Sequence, residues 1–100
     1  MKAVVDEVVI AEADYGDIVE IEGNEYFPPS AINRSMFEES STEYHCGWKG
    51  DCQYYSVRVN GRLRPDLAWS YPAAPPSAVA TVGRDFSGYI AFDRSVRLEP

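Results

Sequence analysis

Cys52-Gln53-Tyr54-Tyr55-Ser56-Val57-Arg58-Val59-Asn60-Gly61-Arg62-Leu63 is the stretch whose reading decides the fold. Its first eight residues are rich in Tyr and Val, which suit a pleated, half-buried surface. Strand alternation puts Tyr55, Val57 and Val59 on one face and Tyr54, Ser56 and Arg58 on the other. Asn60-Gly61 then supplies two residues that tolerate the positive φ of a type I′ turn, so the chain reverses at Arg62. The return strand bends at Pro65-Asp66 and resumes as Leu67-Ala68-Trp69-Ser70-Tyr71. It ends at Pro72, because proline lacks the donor a sheet ladder needs.

Working outward, Val4-Val5 and Val8-Val9-Ile10 flank Asp6-Glu7 as a first hairpin, although its turn lacks the usual Gly or Asn. Asp14-Tyr15-Gly16-Asp17 is a turn. Ile18 to Glu22 alternates, with Ile18, Glu20 and Glu22 on one face and Val19 and Ile21 on the other. Gly23-Asn24 reads as a tight turn into Glu25-Tyr26-Phe27, which Pro28-Pro29 stops. Ser30 as N-cap, with Ile32 and Met36 at i, i+4 and Phe37 beside them, predicts a helix of about two turns. Ser77 to Val82 predicts one helical turn after its prolines. Gly88 to Phe92 and Ser95 to Leu98 predict a last hairpin around Asp93-Arg94. Short strands broken by turn residues predict a mainly β fold, a small antiparallel rolled sheet or barrel with one or two short helices. One hundred residues make one domain.

Composition excludes several functions. Nine Lys and Arg stand against 16 Asp and Glu, a formal charge of −7. Every phosphate contact on a nucleic acid needs a cation, so no nucleic-acid partner is expected. The Arg58, Arg62 and Arg64 group beside a turn reads as a solvated face. No apolar run approaches the roughly 20 residues of a membrane span. The start, Met1 to Glu7, is too acidic and too briefly apolar for a signal peptide. Two cysteines are too few for a secreted disulfide scaffold. The expectation is a cytoplasmic protein without a membrane partner.

The unusual segment is Thr42-Glu43-Tyr44-His45-Cys46-Gly47-Trp48-Lys49-Gly50-Asp51-Cys52-Gln53-Tyr54-Tyr55, which places a thiol, an indole and a lysine within four positions. Glu22-Gly23-Asn24-Glu25-Tyr26-Phe27-Pro28 precedes it and Ala68-Trp69-Ser70-Tyr71-Pro72 follows. These three blocks, in this order, resemble the domain of unknown function 427 family, also labelled a nucleotidyltransferase domain. The resemblance runs from Val4 to Val96. It implies a compact β-rich fold and no settled activity. The chain departs from the family pattern at Gly47, where Pro is usual, at His45, where Thr or Ser is commoner, and at Cys52, where a small residue such as Ala is common. The last two changes bring an imidazole and a second thiol near Cys46.

Each chemistry has a plainer competitor. Nucleotidyl transfer needs paired carboxylates on a metal and a phosphate cradle, and neither motif stands in the sequence. Asp14 and Asp17 read as turn formers. Cys46 and Cys52 lie too far apart for a Cys-x₂₋₄-Cys pair, and only His45 can join them, so no metal site is expected. The two thiols are expected to stay reduced in the cytoplasm. Semi-buried beside aromatics, Lys49 acquires a lowered pKa and becomes a base or nucleophile; paired with Glu22 or Asp51, it is a structural ion. The reading adopted is a domain that binds a small anionic molecule in an aromatic-lined cleft over the Cys46 to Tyr55 segment. Glu22, Tyr26, Trp48, Lys49, Tyr54, Trp69 and Tyr71 are the candidate ligand-binding residues. Lys49 and Cys46 are the candidate catalytic ones. No particular cofactor is indicated. The competing readings are a protein-interaction or homodimer module and a nucleotidyltransferase-like or Cys-dependent enzyme.

Overall fold

The computed structural model describes all residues, Met1–Pro100. The chain runs β1 (Lys2–Val5), β2 (Val8–Glu12), β3 (Val19–Ile21), β4 (Asn24–Tyr26), β5 (Phe37–Cys46), β6 (Gly50–Val59), β7 (Arg62–Ser70), α1 (Pro76–Val82), β8 (Ile90–Phe92) and β9 (Arg97–Glu99), with three short 3₁₀ turns among them. Three antiparallel sheets result, ordered β2-β1-β9, β3-β4 and β5-β6-β7-β8, and none closes into a barrel. Reciprocal backbone bonds of 2.8 Å between Phe27 and Ile90 join the end of β4 to β8, so the larger sheet rolls on into the β3–β4 hairpin. The accessible surface is 5619 Å², against about 5,700 Å² expected for a collapsed chain of this mass. No helix is long and apolar enough to cross a membrane.

Strand alternation gives the β5-β6-β7-β8 sheet two different faces. Tyr55, Val57, Val59, Ala68, Ile90 and Phe92 point to one side and meet Ala3, Val5, Ile10 and Ala11 of the β1–β2 hairpin. Phe27 lies among them, fully buried, with its ring edge-on to Phe92 at 5.4 Å. Trp69, Tyr71, Ala91 and Cys52 point to the other side and meet Val19, Ile21 and Tyr26 of the β3–β4 hairpin, with Ala78 of α1 and Phe86. Alternate side chains of the same strands therefore fill two separate cores.

The β6–β7 and β1–β2 hairpins form as the sequence predicts. Asn60 and Gly61 take φ of 51° and 76° between β6 and β7. Asp6 and Glu7 take φ of 49° and 65° between β1 and β2, without Gly or Asn. Left-handed geometry costs L-residues roughly 1–2 kcal/mol each. Ion pairs accompany it: Asp6 with Arg64 at 3.7 Å and Glu7 with Arg97 at 3.2 Å.

Two expectations are corrected, and one strand was unforeseen. No helix starts at Ser30. Pro29–Ala31 and Arg34–Met36 are separate 3₁₀ turns, and Ile32 between them is extended and bridges to Ala11. Asn33 N–H donates to the Ile10 carbonyl at 2.9 Å. Ile32, Met36 and Phe37 do share a buried side, but the β sheet supplies it. The segment from Phe37 to Cys46 is a ten-residue strand, unforeseen because Glu38, Glu39 and Glu43 are poor strand formers; it is an outer strand whose acids stay in water. The last hairpin is absent as well, since β8 pairs with β7 and β9 pairs with β1. Asp93 makes the turn between them: its carboxylate accepts from Ser95 N–H at 3.1 Å and from the Ser95 hydroxyl at 2.7 Å. Smaller shifts occur too. The β3–β4 turn sits on Glu22-Gly23, one residue earlier than read, and α1 spans seven residues.

Candidate functional site

The site grows from the tip of the β5–β6 hairpin. Cys46 pairs with Gly50, leaving Gly47, Trp48 and Lys49 as the loop. Gly50 closes it with φ of 94°, and a Cβ there would lie 3.5 Å from the Ala73 carbonyl oxygen. Glycine thus permits the left-handed conformation, while the β7–α1 connection packs at ordinary contact distance. The turn folds Lys49 inward over the second core, where the residue is only 6% exposed.

A buried ammonium must be compensated. The Glu22 carboxylate accepts a hydrogen bond from Lys49 Nζ. Glu22 reaches it from the β3–β4 turn, where its own φ is 54°. The Trp48 and Tyr71 rings lie 5.2 and 5.0 Å from Nζ at their centroids, distances at which a cation is attracted to a π face. Burial pulls the Lys49 pKa down, but the Glu22 hydrogen bond and the charges of Tyr26, Glu22 and Cys46 outweigh it, and the net shift is upward. Of the two readings of Lys49, the ion paired with Glu22 is the one these contacts favour.

Beneath Lys49 the face is aromatic and buried. Tyr26 and Tyr71 are 1% and 4% exposed, so their rings belong to the core and not to a cleft wall. Trp69 Nε1–H donates to the Tyr26 hydroxyl at 3.1 Å. Tyr54 lies opposite Trp69 on the neighbouring strand, with ring centroids 6.4 Å apart. Burial pushes the Tyr26 and Tyr71 hydroxyls above the ordinary phenol range. It pushes the Cys52 thiol up as well, against the opposing influence of the Ser70 backbone, Tyr71 and Lys49.

Glu22, Trp48 and Tyr71 thus all meet Lys49, Tyr26 and Trp69 are bonded below it, and Tyr54 lies beside Trp69 on the sheet. Cys46 packs against the same core. So does Cys52, which sequence reasoning did not count among the ligand-binding residues; its parity with Tyr54, two positions on, was the available signal. Both cysteines are free thiols, half-buried. His45 faces away and pairs with Asp51, Nδ1 to Oδ1 at 2.8 Å, both exposed. Asp51 is therefore not the partner of Lys49.

The largest cleft, about 550 Å³, is lined by Glu43, Tyr44, His45, Asp51 and Cys52. It overlaps the Cys46 to Tyr55 segment only at Asp51 and Cys52, and neither Lys49 nor Trp69 lines it. No three of the His, Cys, Asp and Glu side chains converge in an arrangement that could hold a metal ion.

No curated protein matches the chain. The family model described as a domain of unknown function (DUF427) matches residues 1–99, nearly the whole sequence, and the chain belongs to that family.

Proposed function

We propose that this domain binds a small anionic molecule at Lys49, the ligand taking the place of the Glu22 carboxylate. One asymmetry carries the reading. The Lys49 side chain is 7% exposed, whereas that of its counterion Glu22 is 53% exposed. A buried cation requires an anion, but the anion it has sits at the surface on a two-residue turn. Water and a competing carboxylate or phosphate reach Glu22 without disturbing the core. Trp48, partly exposed beside the ammonium, would cover the ligand and report its arrival.

The nucleotidyltransferase label carried by the family has less support here, since phosphoryl chemistry on a metal asks for converging carboxylates, and no such group converges. An interaction module has one favourable observation, the unpaired outer edge of β5. Glu38, Glu39 and Glu43 along that strand would oppose their own copies in a symmetric pairing, which disfavours a β5-to-β5 homodimer.

The test is tryptophan fluorescence during titration with three probes: inorganic phosphate, a nucleoside triphosphate and a dicarboxylate. At least one should give a saturable change. Lys49→Met should abolish it, while Glu22→Gln, which removes the competing carboxylate, should tighten binding several-fold. Circular dichroism establishes that both variants are folded. A folded wild-type protein that binds none of the three more tightly than about 10 mM, a gain of under roughly 3 kcal/mol, would falsify the proposal.

A further inference from the structure

We propose that Cys46 and Cys52 are a dithiol that a hydroperoxide oxidises to an intramolecular disulfide across the β5–β6 hairpin. The inference does not depend on anion binding at Lys49.

The register places the two residues. Cys46 lies opposite Gly50 and Tyr44 opposite Cys52, so Cys46 and Cys52 share one face and stand on a diagonal. Diagonal neighbours stand about 7–8 Å apart, less between their Cβ atoms. A disulfide spans Cα separations up to about 6.8 Å. A shift of about an ångström at the hairpin tip closes the gap. Gly47 and Gly50 flank the loop at the tip, and a Cβ at Gly47 would meet nothing within 4 Å. Both thiols pack against the same cluster, and both are partly open to solvent.

Their surroundings divide the labour. Cys46 closes the first strand at the hairpin tip, opposite Gly50 and partly open to solvent, and is the sulfur a peroxide meets there. Cys52 is held protonated by burial and suits the resolving role. In the first step the Cys46 sulfur takes one oxygen from the hydroperoxide, giving a sulfenic acid and releasing water or an alcohol. The Cys52 sulfur then attacks the sulfenic sulfur. The S–S bond forms, the S–O bond breaks, and the hydroxyl leaves with the Cys52 proton as water. The thiols lose two electrons in total and the peroxide gains them.

The experiment treats the reduced wild-type chain, without added anion, with one equivalent of hydrogen peroxide, then blocks free thiols with a maleimide and measures intact mass. The expected product is a monomer that has lost two hydrogen atoms, takes up no maleimide and regains two reactive thiols with dithiothreitol. Cys52→Ser should stop at the Cys46 sulfenic acid, captured by dimedone. Cys46→Ser should slow peroxide consumption at least about tenfold, because it removes the attacking sulfur. A wild-type chain that keeps two alkylatable thiols, accumulates sulfinic acid, or crosslinks to a second chain would overturn the proposal. Cys46→Ser reacting as fast as wild type would overturn the assignment of Cys46 as attacking thiol. Loss of anion binding with the disulfide still forming would count against the Lys49 reading alone.

Discussion

The two faces of the β5-β6-β7-β8 sheet come from alternate residues of the same strands, yet they solve burial differently. One encloses Ala, Val, Ile, Leu and Phe side chains, with no titratable group in its buried cluster. The other encloses Tyr26 and Tyr71, packs Cys46, Cys52, Trp48 and Trp69 against them, and lays the Lys49 ammonium over the top. The first face gains by area alone. The second must also compensate polar groups that it covers, and it does so for the Lys49 ammonium with Glu22 and for the Trp69 indole with Tyr26. Stability is thus concentrated in one face and chemistry in the other.

The largest effect should come from the apolar face. Phe27→Ala removes a ring that is 0% exposed and packed on Phe92. A loss of about 3–5 kcal/mol is expected by urea denaturation, a large share of the stability of a domain this size. A loss below about 1 kcal/mol would mean the two faces share the load more evenly than their composition indicates.

Next comes pH, which should act on the polar face alone. Lys49, Tyr26, Tyr71 and Cys52 all have pKa values raised by folding. A raised group contributes stability that is complete below its unfolded pKa and is lost as pH climbs through its folded one. The urea midpoint should therefore begin to fall near pH 8.5, where an unfolded Cys titrates, and fall more steeply above about 10, where Tyr and Lys follow. Val57→Ala, in the apolar face, should lower the whole curve without changing its shape. A midpoint that stays level to pH 11 would contradict the assignment.

The ion pair should give a smaller, asymmetric effect. Glu22→Gln leaves a buried ammonium without its anion and is expected to cost about 1–3 kcal/mol, less than a fully buried pair because Glu22 is half in water. Lys49→Met keeps the stem against Trp48 and Tyr71 and leaves the carboxylate free to hydrate, so its cost should be lower. The reverse order in denaturant melts would show that Glu22 is not what compensates Lys49. Smallest of the four, Trp69→Phe removes the donor to the Tyr26 hydroxyl and should cost about 1 kcal/mol. A neutral result would show that the Tyr26 hydroxyl does not need this donor.

Legibility in the sequence follows the same division. The β1–β2 and β6–β7 hairpins were readable because alternation and turn chemistry are local. Lys49, Trp48 and Cys46 stood out because reactive and aromatic residues crowd between glycines. Strand β5 was not readable, since its acids give no apolar alternation and its order comes from pairing with β6. Ile32, Met36 and Phe37 carry a helical spacing that the sheet pairing of Ile32 overrides. Of the two acids weighed as partners of Lys49, Asp51 two positions away and Glu22 27 positions away, the reading chose Glu22, and Glu22 is the partner.

What the sequence by itself determined is the β class, the family, the two tight hairpins and the crowded central segment, because each rests on contacts between near neighbours or on a pattern of residue types. The tertiary structure alone decided that Gly88 to Leu98 divides between two sheets, that Tyr26 and Tyr71 are core, and that Lys49 is a buried ammonium paired with a surface carboxylate. Those outcomes depend on which distant strands pair and which faces they bury, and parity along a strand says only that two side chains share a face, not what that face will meet.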